Sequence, residues 1–111
     1  MEELKKKPVV YSKEYAVDTE EIFNYGIETF GETQAYKYEA LIDQLSESLA
    51  FNYLMYPECR HIPTKTRIYR NIILDSHLII YRITPDNVEL LRVLHSHSSI
   101  SKIRGSRSIK L

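Results

Sequence analysis

Three β-branched apolar runs follow one another in the C-terminal half, with only two or three turn residues between them. They predict strands over 67–74, 77–84 and 88–95, since Asp75–Ser76 and the Pro85–Asn87 stretch have turn composition. Strands this close in sequence can pair only antiparallel, because a parallel return needs a long crossover. The sequence therefore predicts an antiparallel meander, and a two-residue turn at 75–76 would place Arg70 opposite Tyr81.

The N-terminal half predicts a strand near 9–11 and then a helix hairpin over about 12–56. Ser12 is a natural helix N-cap, Gly31 a natural stop, and Thr33 a cap for the second helix. The second helix has an amphipathic seam, and Pro57 ends it by about Tyr56. The seam consists of Ala35, Tyr38, Ile42, Leu45 and Leu49.

These elements predict one α+β domain over residues 1–111, in which a two-helix antiparallel hairpin packs on an antiparallel sheet of about four strands. The strand at 9–11 is expected at one edge. One sheet face meets the helices, and the other could be open. A short helix is expected around 100–104, in a basic tail that starts near residue 98. The predicted core comprises Ile22, Phe30, Ile42, Leu45, Leu49, Ile79 and Val93.

Charge is divided unevenly along a chain whose net charge is zero. Residues 1–58 contain 12 acidic and 5 basic side chains, and residues 59–111 contain 3 acidic and 10 basic ones. Such a split indicates a basic surface for an anionic partner. The single cysteine, Cys59, excludes an internal disulfide and fits a cytoplasmic protein. No apolar run is long enough to cross a membrane, and no glycine-rich phosphate loop occurs.

Arginines and histidines interrupt the predicted strands. Because successive side chains of a strand point to opposite faces of the sheet, the sequence predicts which residues share a face with each of them. Arg82 should share a face with Leu78 and Ile80. Arg92 should share one with Val88, Leu90 and Leu94, and His95 and His97 with Leu91 and Val93. The arginines could ring an open sheet face, they could lie at strand edges, or they could pair with Asp86 and Glu89.

Catalysis of RNA cleavage would use the same residues. His95 and His97 could act as acid and base, and Arg70, Arg82 and Arg92 could stabilise the phosphorane charge. Zinc would need a third ligand beside the two histidines, from Cys59, His61 or His77. We expect no metal and no other cofactor, because a lone histidine pair is a weak signal.

The chain resembles the RelE/ParE superfamily of bacterial toxins from type II toxin–antitoxin pairs, and most closely its ParE branch. The resemblance runs from about Val9 to Arg104. It rests on SKEYAVDTEEIFNYGIETFG (12–31), with its acidic Asp18, and on IYRNIILDSHLIIYRI (68–83) and VELLRVLHSHSSISKIR (88–104). Departures from the family are Thr19 in place of leucine, and Ser98 and Ser99 in place of an acidic residue.

The resemblance implies a toxin that inhibits DNA gyrase by binding, is neutralised by a ParD-like antitoxin, and serves in plasmid stabilisation. The alternative is a metal-independent, ribosome-dependent messenger ribonuclease of the RelE type. For that alternative the candidate catalytic residues are Arg70, Arg82, His95 and His97. The alternative is weakened because His77 and Ser96 stand where RelE toxins have basic residues, and no tyrosine follows Tyr81.

Target binding is predicted for the only long cationic stretch without a neutralising acid. It comprises Arg92, Lys102, Arg104 and Arg107. Deletion of residues 98–111 is expected to remove four cations and little core. The antitoxin is expected to present acidic and apolar residues to this basic half.

Overall fold

A computed structural model describes residues 5–111 and gives a four-stranded sheet with a helix hairpin on one face. The elements are β1 (Val9–Tyr11), α1 (Lys13–Phe30), α2 (Glu32–Asn52), β2 (Tyr69–Ile73), β3 (His77–Ile83), β4 (Val88–His95), α3 (Ile100–Arg104) and a 3₁₀ turn (Gly105–Ser108). The predicted α+β fold class is confirmed, as is the short helix over 100–104. Within the described range, no helix has the length and apolar character needed to cross a membrane.

The helix hairpin is fixed at its start and at its turn. Ser12 caps α1, since its Oγ accepts a hydrogen bond from the Tyr15 amide at 2.9 Å and donates to the Leu91 carbonyl at 2.6 Å. Gly31 separates the helices with φ 90° and ψ 165°, a conformation essentially restricted to glycine. The predicted Thr33 cap is wrong, because α2 already begins at Glu32 and has Gly31 as its cap residue.

The sheet has the strand order β1-β4-β3-β2. The C-terminal strands form the predicted antiparallel meander, and Arg70 lies opposite Tyr81 as expected. β1 lies at the predicted edge, but it pairs parallel with β4, so the sheet is mixed and not wholly antiparallel. The connection between β1 and β4 includes the whole hairpin, which is long enough for a parallel return.

The first core lies between the helix hairpin and the sheet. Four of the predicted core residues, Ile42, Leu49, Ile79 and Val93, are buried in it, and Ile22 and Leu45 pack against it partly buried. The prediction for Phe30 is wrong, because its side chain is 67% exposed. Phe30 is the last residue of α1, where the chain turns away from the sheet, and its ring packs edge-on against Tyr25.

A second core closes the opposite face of the sheet, so this face is not the open one that the sequence allowed. Ile80, Leu91 and Leu94 of the sheet are buried there. The segment between α2 and β2 covers them with Cys59 and Ile62, and the C-terminal segment covers them with Ile103 and Ile109. The sheet is therefore enclosed on both faces, which suits the continuous apolar character of β4.

A bulge in β4 changes which side chains share a face. Tyr81 lies opposite Leu90, but the preceding Ile80 lies opposite Arg92, so Leu91 is an extra residue. Leu90 belongs to the first core, and Leu91 and Leu94 belong to the second. Arg92 shares a face with Leu94, as predicted, but the predicted placement of Val88 and Leu90 on that face is wrong, as is that of Leu91 with Val93. Arg82 does share its face with Leu78 and Ile80, as predicted.

Candidate functional site

The C-terminal segment carries four exposed cations, Lys110 among them, and we call the three that were predicted to bind a target the tail surface: Lys102, Arg104 and Arg107. Lys102 and Arg104 lie on α3, whose N-cap Ser99 accepts a hydrogen bond from the Lys102 amide at 3.1 Å. Arg107 lies on the 3₁₀ turn. Within residues 5–111 none of the three forms an ion pair, although the Arg104 Nε donates to the His61 carbonyl at 3.3 Å. The tail surface is thus available to an anionic partner.

The tail surface is anchored to the sheet, contrary to the expectation that the tail adds little core. Ile103 and Ile109 are buried in the second core. Arg82 reaches across from β3 and donates from Nη2 to the Ile109 carbonyl at 2.9 Å and from Nη1 to the Arg107 carbonyl at 3.3 Å. Removing the tail would therefore uncover apolar surface and leave Arg82 without these two acceptors.

Arg92, the fourth predicted target-binding residue, is engaged inside the fold. Its Nε and Nη2 donate to the two carboxylate oxygens of Asp18 at 2.7 and 2.8 Å, and Asp18 also accepts from the Val93 amide at 3.0 Å. The hydrogen bond that Arg92 donates to the Asp18 carboxylate raises the pKa of Arg92 above its ordinary value. Since α1 already supplies its counterion, the geometry gives Arg92 a structural role, and we do not include it in the tail surface.

The candidate ribonuclease residues are not brought to one centre. Arg82 donates to Glu89 at 2.6 Å, which is the ion pair with Glu89 considered from sequence. Its side chain lies on the face of the sheet that the second core covers. Arg70 donates to the carbonyls of Leu54 and Tyr56 beyond the end of α2. His95 lies opposite His77, five residues before Arg82, which corresponds to about 17 Å along a strand.

His95 and His97 belong instead to an aromatic cluster with His77 and Tyr38. Their ring centroids lie 5.6 Å (His77 to His95) and 5.3 Å (His95 to His97) apart. The Tyr38 hydroxyl is 2.7 Å from Nδ1 of His77. Burial lowers the pKa of His77, and the neighbouring His95 lowers it further. Burial also raises the pKa of Tyr38, so the protonated tyrosine can donate to a neutral His77.

No group of three or more histidine, cysteine or acidic side chains within residues 5–111 has the geometry to hold a metal ion. Of the ligands considered from sequence, Cys59 is buried in the second core. Burial raises the pKa of its thiol, which disfavours the thiolate that a metal would need.

The aromatic cluster stands at one end of a groove of about 660 Å³ between the hairpin and the sheet. Its floor is apolar and includes Ile22, Phe23, Ile42 and Val93. Four acids line it that form no ion pair within the described residues, and we call it the acidic groove: Glu21, Glu39, Asp43 and Asp75. Lys102 is the only lysine or arginine among its lining residues. The acidic groove was missed from sequence because its walls come from distant segments.

The fold and these surfaces describe a small α+β domain with exposed charged surfaces. A family model for the ParE toxin of type II toxin–antitoxin systems, parDE, matches residues 9–99. The chain therefore belongs to the ParE toxin family, and the predicted resemblance is confirmed.

A solved structure titled "Chromosomal ParDE TA system from P. aeruginosa" has a similar fold, with a TM-score of 0.67. The match covers 82% of this chain and 97% of that chain, at 15% sequence identity. At this identity the likeness bears on the fold alone. A search of curated protein sequences finds no match.

Proposed function

We propose that this ParE-family toxin acts in the cytoplasm by binding DNA gyrase through the tail surface, and that it serves in plasmid stabilisation. The observation that carries the proposal is the tail surface itself. Lys102, Arg104 and Arg107 are exposed, and Ile103 and Ile109 hold the segment that bears them on the second core. A fixed cationic surface binds an anionic partner with little loss of conformational entropy. The choice of gyrase rests on the family resemblance.

The positions of the candidate ribonuclease residues also favour a binding mechanism over catalysis. Arg82 is already paired with Glu89 and with the Ile109 carbonyl near the chain end. His95 packs edge-on against His77, and His97 packs on His95, away from Arg82. Cleavage would need an acid, a base and cations around one phosphate. In the described structure these groups do not converge on one position.

The experiment is charge reversal at the tail surface, scored on DNA supercoiling by purified gyrase. Lys102→Glu with Arg107→Glu should lower the inhibitory potency by roughly tenfold or more, about 1.4 kcal/mol of binding free energy. Arg104 is left unchanged because its Nε donates to a backbone carbonyl. Lys13→Glu with Lys37→Glu is the matched control, since it makes the same charge change at exposed sites on α1 and α2.

The alternative ribonuclease has a distinct signature. Its activity would appear as cleavage of ribosome-bound messenger and would fall roughly 100-fold in His95→Ala with His97→Ala. The binding mechanism predicts that this double variant still inhibits supercoiling. If the histidine variant loses toxicity while the charge-reversed variant keeps it, the gyrase proposal fails.

We further propose that a ParD-like antitoxin neutralises the toxin by covering this basic half with acidic and apolar residues. Arg60, Lys65 and the tail surface are exposed in this half, and so is the apolar Ile73 on the edge strand β2. Steering between opposite charges should make association fast and sensitive to salt. The association rate should fall between about 0.05 and 0.5 M salt, as screening shortens the range of the charges. An unchanged rate would contradict this part of the proposal.

A further inference from the structure

A second exposed surface lies where α2 ends, and it shares no residue with the tail surface. Phe51, Leu54 and Met55 are 57%, 51% and 71% exposed, and they follow one another closely over the end of α2 and the turn just beyond it. The segment with Lys5 and Lys6 runs beside them. The Tyr53 hydroxyl donates to the Lys5 carbonyl at 2.6 Å, and the Lys6 Nζ lies 5.1 Å from the centre of the Phe51 ring. We call these five residues the lysine patch: Lys5, Lys6, Phe51, Leu54 and Met55.

The lysine patch has the composition of an interaction surface. Large apolar side chains exposed next to one another mark a contact site more often than a solvated surface. Neither Lys5 nor Lys6 forms an ion pair within the described range. A partner that buried the apolar side chains would have to bring acids to the two lysines, because an unpaired charge is costly to desolvate. The fitting partner is therefore apolar in its centre and acidic at its edge.

The acidic groove of the same protein meets that description. It has an apolar floor and four acids that form no ion pair with any residue from 5 to 111. Its volume of about 660 Å³ lies in the usual range of binding pockets. Glu39 and Asp43 lie on α2, as does Phe51. Glu39 and Phe51 are separated by about 18 Å of helix at the standard rise. A chain cannot bend this helix to fill its own groove, so any contact between the two surfaces has to join two molecules.

We propose that copies of this protein associate through these surfaces, with the lysine patch of one copy seated on the acidic groove of another. The contact uses different surfaces on the two copies and is therefore heterologous. Charge complementarity and the exposed apolar area carry the proposal, which is independent of what the toxin inhibits. Because the acidic groove borders the cluster of His77 and His95, association would also cover that cluster.

The test is sedimentation of the full chain, with two variants that each disable one surface. Phe51→Ser with Met55→Ser removes apolar area from the lysine patch and keeps its charges. Glu39→Lys with Asp43→Lys reverses charge in the acidic groove. Wild-type protein should exceed the 13.1 kDa monomer mass as concentration rises, and less so at high salt. Each variant alone should associate at least about tenfold more weakly.

Mixing the two variants gives the sharpest result. The mixture retains one intact lysine patch and one intact acidic groove, whereas the other two surfaces are both cationic and repel each other. It should therefore form a complex of twice the chain mass, which also shows that both variants are folded. Matched controls are Val17→Ser with Leu41→Ser, and Glu20→Lys with Glu28→Lys, at sites outside both surfaces. Monomeric wild type, a monomeric mixture, or controls as weak as the variants would overturn the proposal.

Discussion

The ion pair between Asp18 and Arg92 provides the most quantitative test of how this fold is held together. Asp18 is 6% exposed and accepts three hydrogen bonds, two from the Arg92 guanidinium and one from the Val93 amide. Asp18→Asn keeps the shape of the side chain and removes its charge. The substitution leaves Arg92 without a counterion. It also places an amide NH₂ group, which is itself a donor, against N–H groups that donate to the carboxylate in the wild type.

The expected loss follows from how deeply the pair is buried. Removing one partner of a buried ion pair costs about 3–5 kcal/mol. The Arg92 side chain is 22% exposed and is therefore partly solvated, so we expect the lower end, about 3 kcal/mol. Against a typical unfolding free energy of about 5–15 kcal/mol, this is a large fraction of the total. The midpoint of thermal unfolding should fall by roughly 10–15 °C.

Urea denaturation followed by circular dichroism measures this change directly. The matched control is Asp86→Asn, at an exposed acid outside the acidic groove that forms no ion pair within residues 5–111, which should change stability by less than about 0.5 kcal/mol. Asp18→Leu with Arg92→Met removes both charges, and it should recover much of the loss because no buried charge is left unpaired. A loss below about 1 kcal/mol for Asp18→Asn would refute the view that this pair joins α1 to β4 energetically.

Three further predictions concern the pH dependence, the tail and the hairpin turn. The unfolding free energy should decrease as the pH falls through 6.5 and below. The reason is that folding lowers the pKa of His77, so the unfolded chain takes up the proton first. In urea titrations, His77→Gln should flatten this pH dependence. Deleting residues 98–111 should cost about 3–6 kcal/mol, since Ile103 and Ile109 leave the second core, and a truncated chain as stable as the full one would contradict this. Gly31→Ala should cost about 1–3 kcal/mol by thermal unfolding, because φ is 90° there, whereas the neighbouring Thr33→Ala should cost little.

The parts of the fold that follow local rules could be predicted from the sequence. The two-residue turn at 75–76 determines the β2–β3 pairing, and the helical periodicity of α2 places Ile42 and Leu49 in the core. Ser12 and Gly31 mark the start and end of α1 through backbone requirements that few other residues meet. Each of these features depends on residues close together in the chain.

The parts that depend on distant segments could not be predicted in the same way. The bulge at Leu91 exchanges the faces of the residues after it, and alternation alone cannot detect an inserted residue. A signal was nevertheless present, because Leu90–Leu91 and Val93–Leu94 are adjacent apolar pairs, a pattern typical of a strand buried on both faces. Ile103 and Ile109 near the chain end are apolar residues that could cover the second face of such a strand.

The pairing of Arg92 with Asp18 also left a trace in the sequence. Asp18 lies three residues after Tyr15 and four before Ile22, on the apolar face of α1, where an unpaired acid would be costly. An acid on a buried helix face and an arginine in a central strand together predict an ion pair between them. The cationic run toward the chain end, to which Arg92 also belongs, masks this signal in the sequence.

The two arginines of the central strands explain why the sequence contains charges in such apolar segments. Arg82 attaches the chain end to β3, and Arg92 attaches α1 to β4, each with an acid at 2.6 or 2.7 Å. These two arginines therefore stabilise the fold through their ion pairs. The positive charge left to bind a partner is that of the other, exposed cations of the C-terminal half, such as the tail surface. Because Arg82 and the second core also anchor the tail, deleting the tail would change stability and charge together. Only charge reversal at Lys102 and Arg107, with the anchoring isoleucines left in place, can separate target binding from folding.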